Sequence, residues 1–262
     1  MHTPLCKHAE GSPTEYALAA KEAGLDEIGF SDHNPMPEPF DDWRMDISEF
    51  PEYLAIVEQA KVDVPDVTIR LGIEIDYLEG REDWVHETAT MANFDYLIGS
   101  VHYIAPEWDI DNPKWIGRWK ESDVSEIWDL YWKIYCRMIR TKLFDIHAHP
   151  DLAKKFGFRP EGDLRRYYEP AIAALLETDS VYEISTAGLY KDVAEIYPAQ
   201  EFIELACQAG VPIVISSDAH SPGEVGRDFP LATKLAWDCG YRESQRFDGR
   251  KRSSIPLQAP EA

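Results

Sequence analysis

Val211–His220, V-P-I-V-I-S-S-D-A-H, decides how this chain is read. The β-branched run after Pro212 has the composition of a buried strand, and it ends in an acid and a histidine two residues apart, a pair suited to holding metal. The same design recurs along the chain. D-E-I-G-F-S-D-H ends at His33, V-T-I-R-L-G-I-E at Glu74, D-Y-L-I-G-S-V-H at His102 and L-F-D-I-H-A-H at His149. Each apolar strand delivers a ligand-type residue at its C-terminal end.

Helix-forming stretches lie between these strands. Ser12-Pro13-Thr14-Glu15 opens the first and Gly24 closes it, with proline and glycine at the ends that suit them. Glu52–Val62, Glu82–Ala92, Ser122–Lys142, Leu164–Leu176, Ala199–Gln208 and the segment from Gly226 to Cys239 supply the others. In the longest, Ile127, Leu130, Tyr131, Ile134 and Met138 fall at core spacing, a stripe that belongs to packing. Met1–His8 has the look of a strand end, and counting it there are about seven strands alternating with helices, the signature of a parallel sheet with right-handed crossovers. An open sheet gathers ligands at one switch point, whereas a closed barrel brings every strand end to one mouth. Ligands after nearly every strand therefore favour a barrel, and one domain is expected over residues 1–262.

Three connections stand out. Asn34–Phe50 is rich in Pro and Asp, carries Trp43, Arg44 and Met45, and is long enough to be a lid. Pro106–Lys120, with Trp108, Trp115 and Trp119, is expected to be a second long surface insertion, and Lys154–Pro160 a loop of concentrated positive charge. Beyond Gly240 the chain turns basic and polar, and no element is assigned there.

Composition sets the outer limits. Hydrophobic residues make up 44% of the 262, enough for a substantial core. A formal charge of -22 opposes non-specific encounter with nucleic acid or an anionic membrane, so neither is expected as a partner, and an anionic substrate must meet local positive charge. Cys6, Cys136, Cys207 and Cys239 show no C-x-x-C spacing, which points to reduced thiols. Cys6, between two histidines, is either reactive or a small buried residue. No run approaches the roughly 20 apolar residues of a membrane span. A cytoplasmic protein is expected, its oligomeric state left open.

The candidate metal ligands are His2, His8, His33, Glu74, His102, His149, Asp218 and His220. Eight nitrogen and carboxylate ligands exceed the needs of one tetrahedral ion, so two or three divalent ions, zinc, manganese or iron, sharing a bridging Glu74 or Asp218, fit better. A single histidine at a strand end is more often structural; seven of eight at corresponding places are not a coincidence. His86 lies in a helical segment and is set aside. His147 competes with His149, which lies further toward the mouth.

H-T-P-L-C-K-H-A, F-S-D-H, G-I-E, G-S-V-H, the stretch from Asp145 to K-K-F-G-F-R-P, S-S-D-A-H and the closing F-D-G-R-K-R together resemble the polymerase and histidinol phosphatase (PHP) family, specifically its monofunctional histidinol-phosphate phosphatases. The resemblance runs from Met1 to about Leu257. It implies a distorted seven-stranded (β/α) barrel holding up to three ions, with His2, Glu74 and Asp218 at one, Glu74, His102 and His149 at a second, and His8, His33 and His220 at the third. It also implies hydrolysis of L-histidinol phosphate in histidine biosynthesis. Two departures carry expectations. Met1 stands at the middle of the family's H-x-H, so the first strand is expected to be truncated, with an upstream start restoring both the histidine and the strand. Tyr190 stands where relatives often read arginine.

The chemistry expected is attack by an activated water on phosphorus while the ions stabilise the equatorial oxygens. Asp218 or His220 would protonate the leaving alkoxide, in competition with ligation. Arg159 is the first candidate for a phosphate clamp, because guanidinium matches phosphate oxygens in a fork. Its alternative is a surface pairing with one of the many acids. Lys191, Arg227 and Arg44 follow it. The rival functions are a related phosphoesterase acting on another small ester or phosphotyrosine, and a metal-binding barrel without turnover.

Overall fold

The two-residue alternation of each strand settles what the molecule places inside its sheet and what it turns toward its helices. The computed structural model describes residues 1–259. Its strands, in chain order, are β1 (Glu27–Phe30), β2 (Thr68–Asp76), β3 (Tyr96–Ser100), β4 (Tyr103–Ala105), β5 (Trp108–Asp109), β6 (Ile146–His147), β7 (Val181–Ser185), β8 (Ile213–Ser216), β9 (Glu243–Asp248) and β10 (Lys251–Pro256). The helices are α1 (Pro13–Glu22), α2 (Phe50–Asp63), α3 (Glu82–Thr88), α4 (Ile116–Glu121), α5 (Val124–Arg140), α6 (Arg165–Thr178), α7 (Gln200–Ala209) and α8 (Phe229–Cys239). Six strands form one curled sheet, in the order β1-β2-β3-β6-β7-β8, every pairing parallel.

The helices begin and end where their sequences direct. Ser12 caps α1 in a reciprocal box with Glu15, and Gly210, in the left-handed region at φ 85°, ends α7. Outward-facing strand residues such as Ile73, Ile75 and Leu97 belong to the main core, which also takes in the aromatic face of α5, where Trp128, Tyr131, Trp132 and Tyr135 are buried. Leu130, expected in that stripe, is instead exposed.

The inner face has two storeys. At the bottom Tyr96 reaches across β2 to β1 over Gly72 and Gly29, where an added Cβ would lie only 2.5 and 2.2 Å from its ring and hydroxyl. Tyr96 joins Ile98, Ile146, Ala148, Val181 and Phe247 in an apolar plug. Two residues further along each strand the inward positions become polar, at Glu74 after Gly72 and at Ser100, then His102, after Ile98.

Phe247 comes from a part of the chain to which its polar sequence assigned nothing. Residues 243–256 form the antiparallel hairpin β9–β10, turned by Gly249 and Arg250, both at positive φ (53° and 66°), the requirement of a tight two-residue loop. The hairpin caps the bottom of the sheet. Acids at the strand starts receive it: Asp95 accepts from Gly249 N (3.0 Å), Asp145 pairs with Arg250, and Asp179 with Arg252 (2.9 Å). The same Asp95 and Asp145 also accept from Leu71 N and Leu97 N of the preceding strands (2.9 and 2.8 Å).

Two further features bear on the expected insertion and strand count. Residues 106–120 are an ordered subassembly: β4 and β5 pair, α4 follows, and Trp119 is buried with its ring stacked on Phe158 and its Nε1 donating to Ile110 O (2.8 Å). The sheet has six strands among the described residues. Met1 and His2 lie beside β1 and beyond the end of β8: Met1 N donates to Gly29 O (3.2 Å), Ser31 N to Met1 O (2.9 Å) and His2 N to Ala219 O (3.0 Å).

Because one phenylalanine carries the hairpin's apolar contribution to the plug, Phe247→Ala should cost about 3–5 kcal/mol in equilibrium denaturation. A loss below about 1 kcal/mol would mean that the hairpin lies on the sheet without filling it.

Candidate metal centre

Strand alternation brings most of the expected ligands to one place. Gly29, Ser31 and His33 share the inner face of β1 and its extension, as do Gly72, Glu74 and Asp76 on β2, and Tyr96, Ile98, Ser100 and His102 on β3 and beyond. His149 would by alternation join His147 on the outer face. Its backbone takes a positive φ of 23°, a conformation disfavoured for a side-chain residue, and the ring turns inward. His147 stays outside, beside the Tyr135 and Phe144 rings, with both nitrogens buried and unpartnered.

Glu74 stands at the centre. Its Oε2 lies 3.4 Å from His2 Nε2 and 3.9 Å from His33 Nδ1, while Oε1 lies 3.5 Å from His149 Nε2 and 3.7 Å from His102 Nε2. Asp218 Oδ1 lies 3.1 Å from His2 Nε2 and 3.9 Å from His220 Nδ1. The His220 ring stacks on His2 and on His8, with centroids 4.2 and 4.7 Å apart. All eight expected ligands are thus brought together. His86 is exposed on α3, away from them.

The donor set fits divalent cations. Ligand bonds of ~2.1 Å at tetrahedral angles hold ligand atoms ~3.4 Å apart, close to the spacings around Glu74. Those spacings are mostly too long for hydrogen bonds, and Glu74 Oε1 and His33 Nδ1 are buried without a partner. A buried carboxylate oxygen left in that condition is costly unless a cation meets it.

Charge divides the site. Burial opposes ionisation of Glu74 and Asp218, yet the surrounding histidines outweigh it and hold both carboxyls well below their ordinary range. Burial also opposes protonation of His2, but Asp218, Asp32 and Glu74 raise it. His102 is likewise lifted against its burial, to about 10, by Asp76. Burial, then the charge of His2, lowers His8, His33 and His220, the last to about 3.

A surrounding layer that the sequence reading passed over orients these ligands. Asp32 accepts from Thr3 Oγ1 and from His33 N (3.1 Å), and faces His2 Nδ1 at 3.4 Å. Asp76 Oδ1 accepts from His102 N (3.2 Å) and meets His102 Nδ1 at 2.7 Å. Glu183 accepts from His149 N (2.9 Å) and Ser216 Oγ (2.6 Å), and burial raises its pKa. The signal was present: Asp76 is the next inward residue after Glu74, and Asp32 precedes His33.

The cations proposed from sequence are engaged with other residues or exposed. Arg44 is buried and committed to Asp41, Asp76 and Asn34, which removes it as a phosphate clamp. The charges of K-K-F-G-F-R-P are paired, Lys154 with Asp151 (3.0 Å), Lys155 with Asp111 (2.9 Å) and Arg159 with Glu195. Arg227 lies over the Tyr190 ring at 3.4 Å and bonds Glu224 (3.1 Å), and Lys191 is exposed. Cys6 is a small, fully buried residue, and that burial pushes its thiol up to about 11.

Comparison with known proteins agrees with this architecture. The PHP domain family matches residues 1–187. A probable histidinol-phosphatase of Deinococcus radiodurans is 40% identical over 244 residues, covering 92% of this chain and 93% of that protein. The histidinol-phosphatase of Bacillus subtilis is 25% identical over 257 residues, with 86% and 94% covered. Among solved structures, histidinol phosphate phosphatase from Lactococcus lactis subsp. lactis, complexed with zinc, L-histidinol and phosphate, aligns at a TM-score of 0.81 and 19% identity over 97% of each chain. The putative histidinol phosphatase of Listeria monocytogenes aligns at 0.78 and 23% identity, over 88% of this chain and 97% of that one. At those identities the structures speak for the fold, a curled parallel sheet flanked by helices. With the family match spanning most of the sequence and the D. radiodurans protein aligned nearly end to end, the chain belongs to the PHP family.

Proposed function

We propose that this protein is a metal-dependent phosphate monoester hydrolase that converts L-histidinol phosphate to L-histidinol and phosphate, a step of histidine biosynthesis in the cytoplasm. The observation that carries the reading is Glu74, buried between His2 and His33 on one oxygen and His102 and His149 on the other. The relatives named as histidinol-phosphatases supply the substrate.

His2, Glu74 and Asp218 would hold one ion, Glu74, His102 and His149 a second, and His8, His33 and His220 a third, with zinc, manganese and iron all suited to these donors. When bound, such ions supply Lewis acidity toward phosphoryl oxygens and toward water. The chain's own charge explains why they are needed: Glu74, Asp218, Asp32, Asp76 and Glu183 crowd one mouth of a protein carrying -22, and a bare phosphate would be repelled. Asp218 and His220 have the more open side chains beside Glu74, 26% and 25% exposed, whereas those of His2, His33, Glu74, His102 and His149 are 7% exposed or less. They therefore face the arriving ester, and one or the other, in competition with its role as a ligand, would take the proton of the attacking water and pass it to the leaving alkoxide. Arg159 spends one nitrogen on Glu195, leaving the rest of its fork for phosphate oxygens. The reading includes a seven-stranded barrel, with Met1 and His2, bonded beside β1 at Gly29 and Ser31, in the seventh place.

Purified without chelator, the protein should carry more than one ion per chain by elemental analysis. His33→Ala and His102→Ala should lose metal and histidinol phosphate hydrolysis together, by at least about tenfold each, with His86→Ala doing neither. One ion or fewer, or equal losses in all three variants, would refute the assignment. A panel including phosphotyrosine and other small esters tests the substrate, L-histidinol phosphate being expected to give the highest kcat/KM.

Arg159→Lys should raise KM or lower kcat about tenfold, because a point charge replaces the fork, at unchanged metal content. Unaltered kinetics would return Arg159 to its pairing with Glu195.

A further inference from the structure

The loop between β1 and α2 is tied into the centre from two sides. From one side comes Arg44. Its Nε bonds Asp41 Oδ2 at 2.7 Å, its Nη1 bonds Asn34 O and Oδ1 at 3.1 and 3.2 Å, and its Nη2 bonds Asp76 Oδ2 at 2.9 Å. Asn34 Oδ1 in turn accepts from Asp76 N at 3.1 Å, so the backbone of Asp76 is fixed by the same group of residues. The other oxygen of Asp76 receives His102 Nδ1 at 2.7 Å. One carboxylate thus stands between a buried guanidinium and an imidazole whose far nitrogen faces Glu74. From the other side comes Trp43. Its indole stands edge-on to His33 and His102, with centroids 4.7 and 5.4 Å away, and lies parallel to Tyr103 at 6.0 Å. The Arg44 guanidinium covers Trp43 at 4.3 Å, and Tyr103 Oη donates to Asp41 (2.8 Å), closing the circuit.

We propose that Arg44 is a positioning residue for the metal centre, acting through Asp76 on the ring of His102, so that seating of the 34–49 loop sets the affinity of the ion held by Glu74, His102 and His149. This rests on the metal assignment above. The physical argument is that a ligating imidazole is oriented by whatever its other nitrogen meets, and the carboxylate it meets here is itself aimed by the guanidinium. A pure loop anchor would need only Asp41 and Asn34. The third partner is instead the carboxylate that holds His102. The fork is required because three partners in different directions share one side chain, which an ammonium on a flexible stem cannot serve.

The test compares wild type, Arg44→Met, Arg44→Lys, Asp76→Asn and the Arg44→Met/Asp76→Asn double variant, each loaded with cobalt(II). Ions retained against graded chelator are counted by mass spectrometry, and the visible ligand-field spectrum is recorded. Arg44→Met should weaken one ion of the set about 10–100-fold, alter the cobalt spectrum and leave the other ions in place, with Arg44→Lys intermediate. The double variant should bind no more weakly than Asp76→Asn alone, because the arginine acts through that carboxylate. Wild-type affinity and spectrum in Arg44→Met, or losses that add in the double variant, would overturn the inference. Should Arg44→Met fail to fold, Arg44→Gln is read by the same two criteria. Absence of bound cobalt in wild type would overturn the metal assignment and this inference together, whereas tight binding unaffected by Arg44→Met removes only the latter.

Discussion

A carboxylate buried among histidines is the constraint from which the rest of this structure follows. Glu74 is 5% exposed and one of its oxygens has no hydrogen-bond partner, so it is tolerable only where positive charge converges on it. Convergence of that kind needs ligands from several chain segments at one height. Parallel strands with their C-terminal ends together supply it, and a curled sheet brings β1, β2, β3 and the turns after β6 and β8 around the same point. The orienting layer of Asp32, Asp76 and Glu183 then follows, since rings crowded this closely would otherwise be free to pair with one another's carboxylates.

The sheet interior separates two incompatible tasks by two residues along each strand. Below, Tyr96 lies over Gly29 and Gly72 and excludes water; above, Glu74 and the histidines need cations and access. The glycines are as necessary as the ligands, because a side chain at either would collide with Tyr96. This also accounts for the opposite fates of the two histidines in I-H-A-H. His147 is buried against α5 as a neutral packing residue, its pKa lowered to about 3 by burial, while the positive φ of His149 carries its ring to the mouth.

Much of this was legible before any coordinates. Strand-end residues announced themselves by position and type, and their recurrence at corresponding places set them apart from the structural role that a single strand-end histidine usually has. The limits of the first helix followed from Ser12 and Gly24. What escaped the sequence reading escaped for physical reasons. The β9–β10 hairpin makes its case through one inward phenylalanine, a buried serine and a two-residue turn, while most of its other side chains face solvent or acids, so no amphipathic pattern exists to be seen. The 106–120 segment is short of periodicity because its tryptophans pack in several directions. Arg44 reads as a free loop cation until its partners, Asp41, Asn34 and Asp76, are brought round it by the fold.

The hairpin across the strand starts has a consequence in time as well as in space. Its contacts join residues far apart in sequence, 154 positions for Gly249 with Asp95 and 105 for Arg250 with Asp145. Closing such loops costs entropy that only an already assembled sheet can offset, so these contacts belong to the late side of the folding barrier. Contacts absent from the transition state govern how fast a protein opens, with little influence on how fast it forms. The expected signature is a hairpin whose weakening steepens loss of the native state without slowing its recovery. The lifetime of the histidine cluster at one end of the sheet is then set by a phenylalanine and a few arginines at the other.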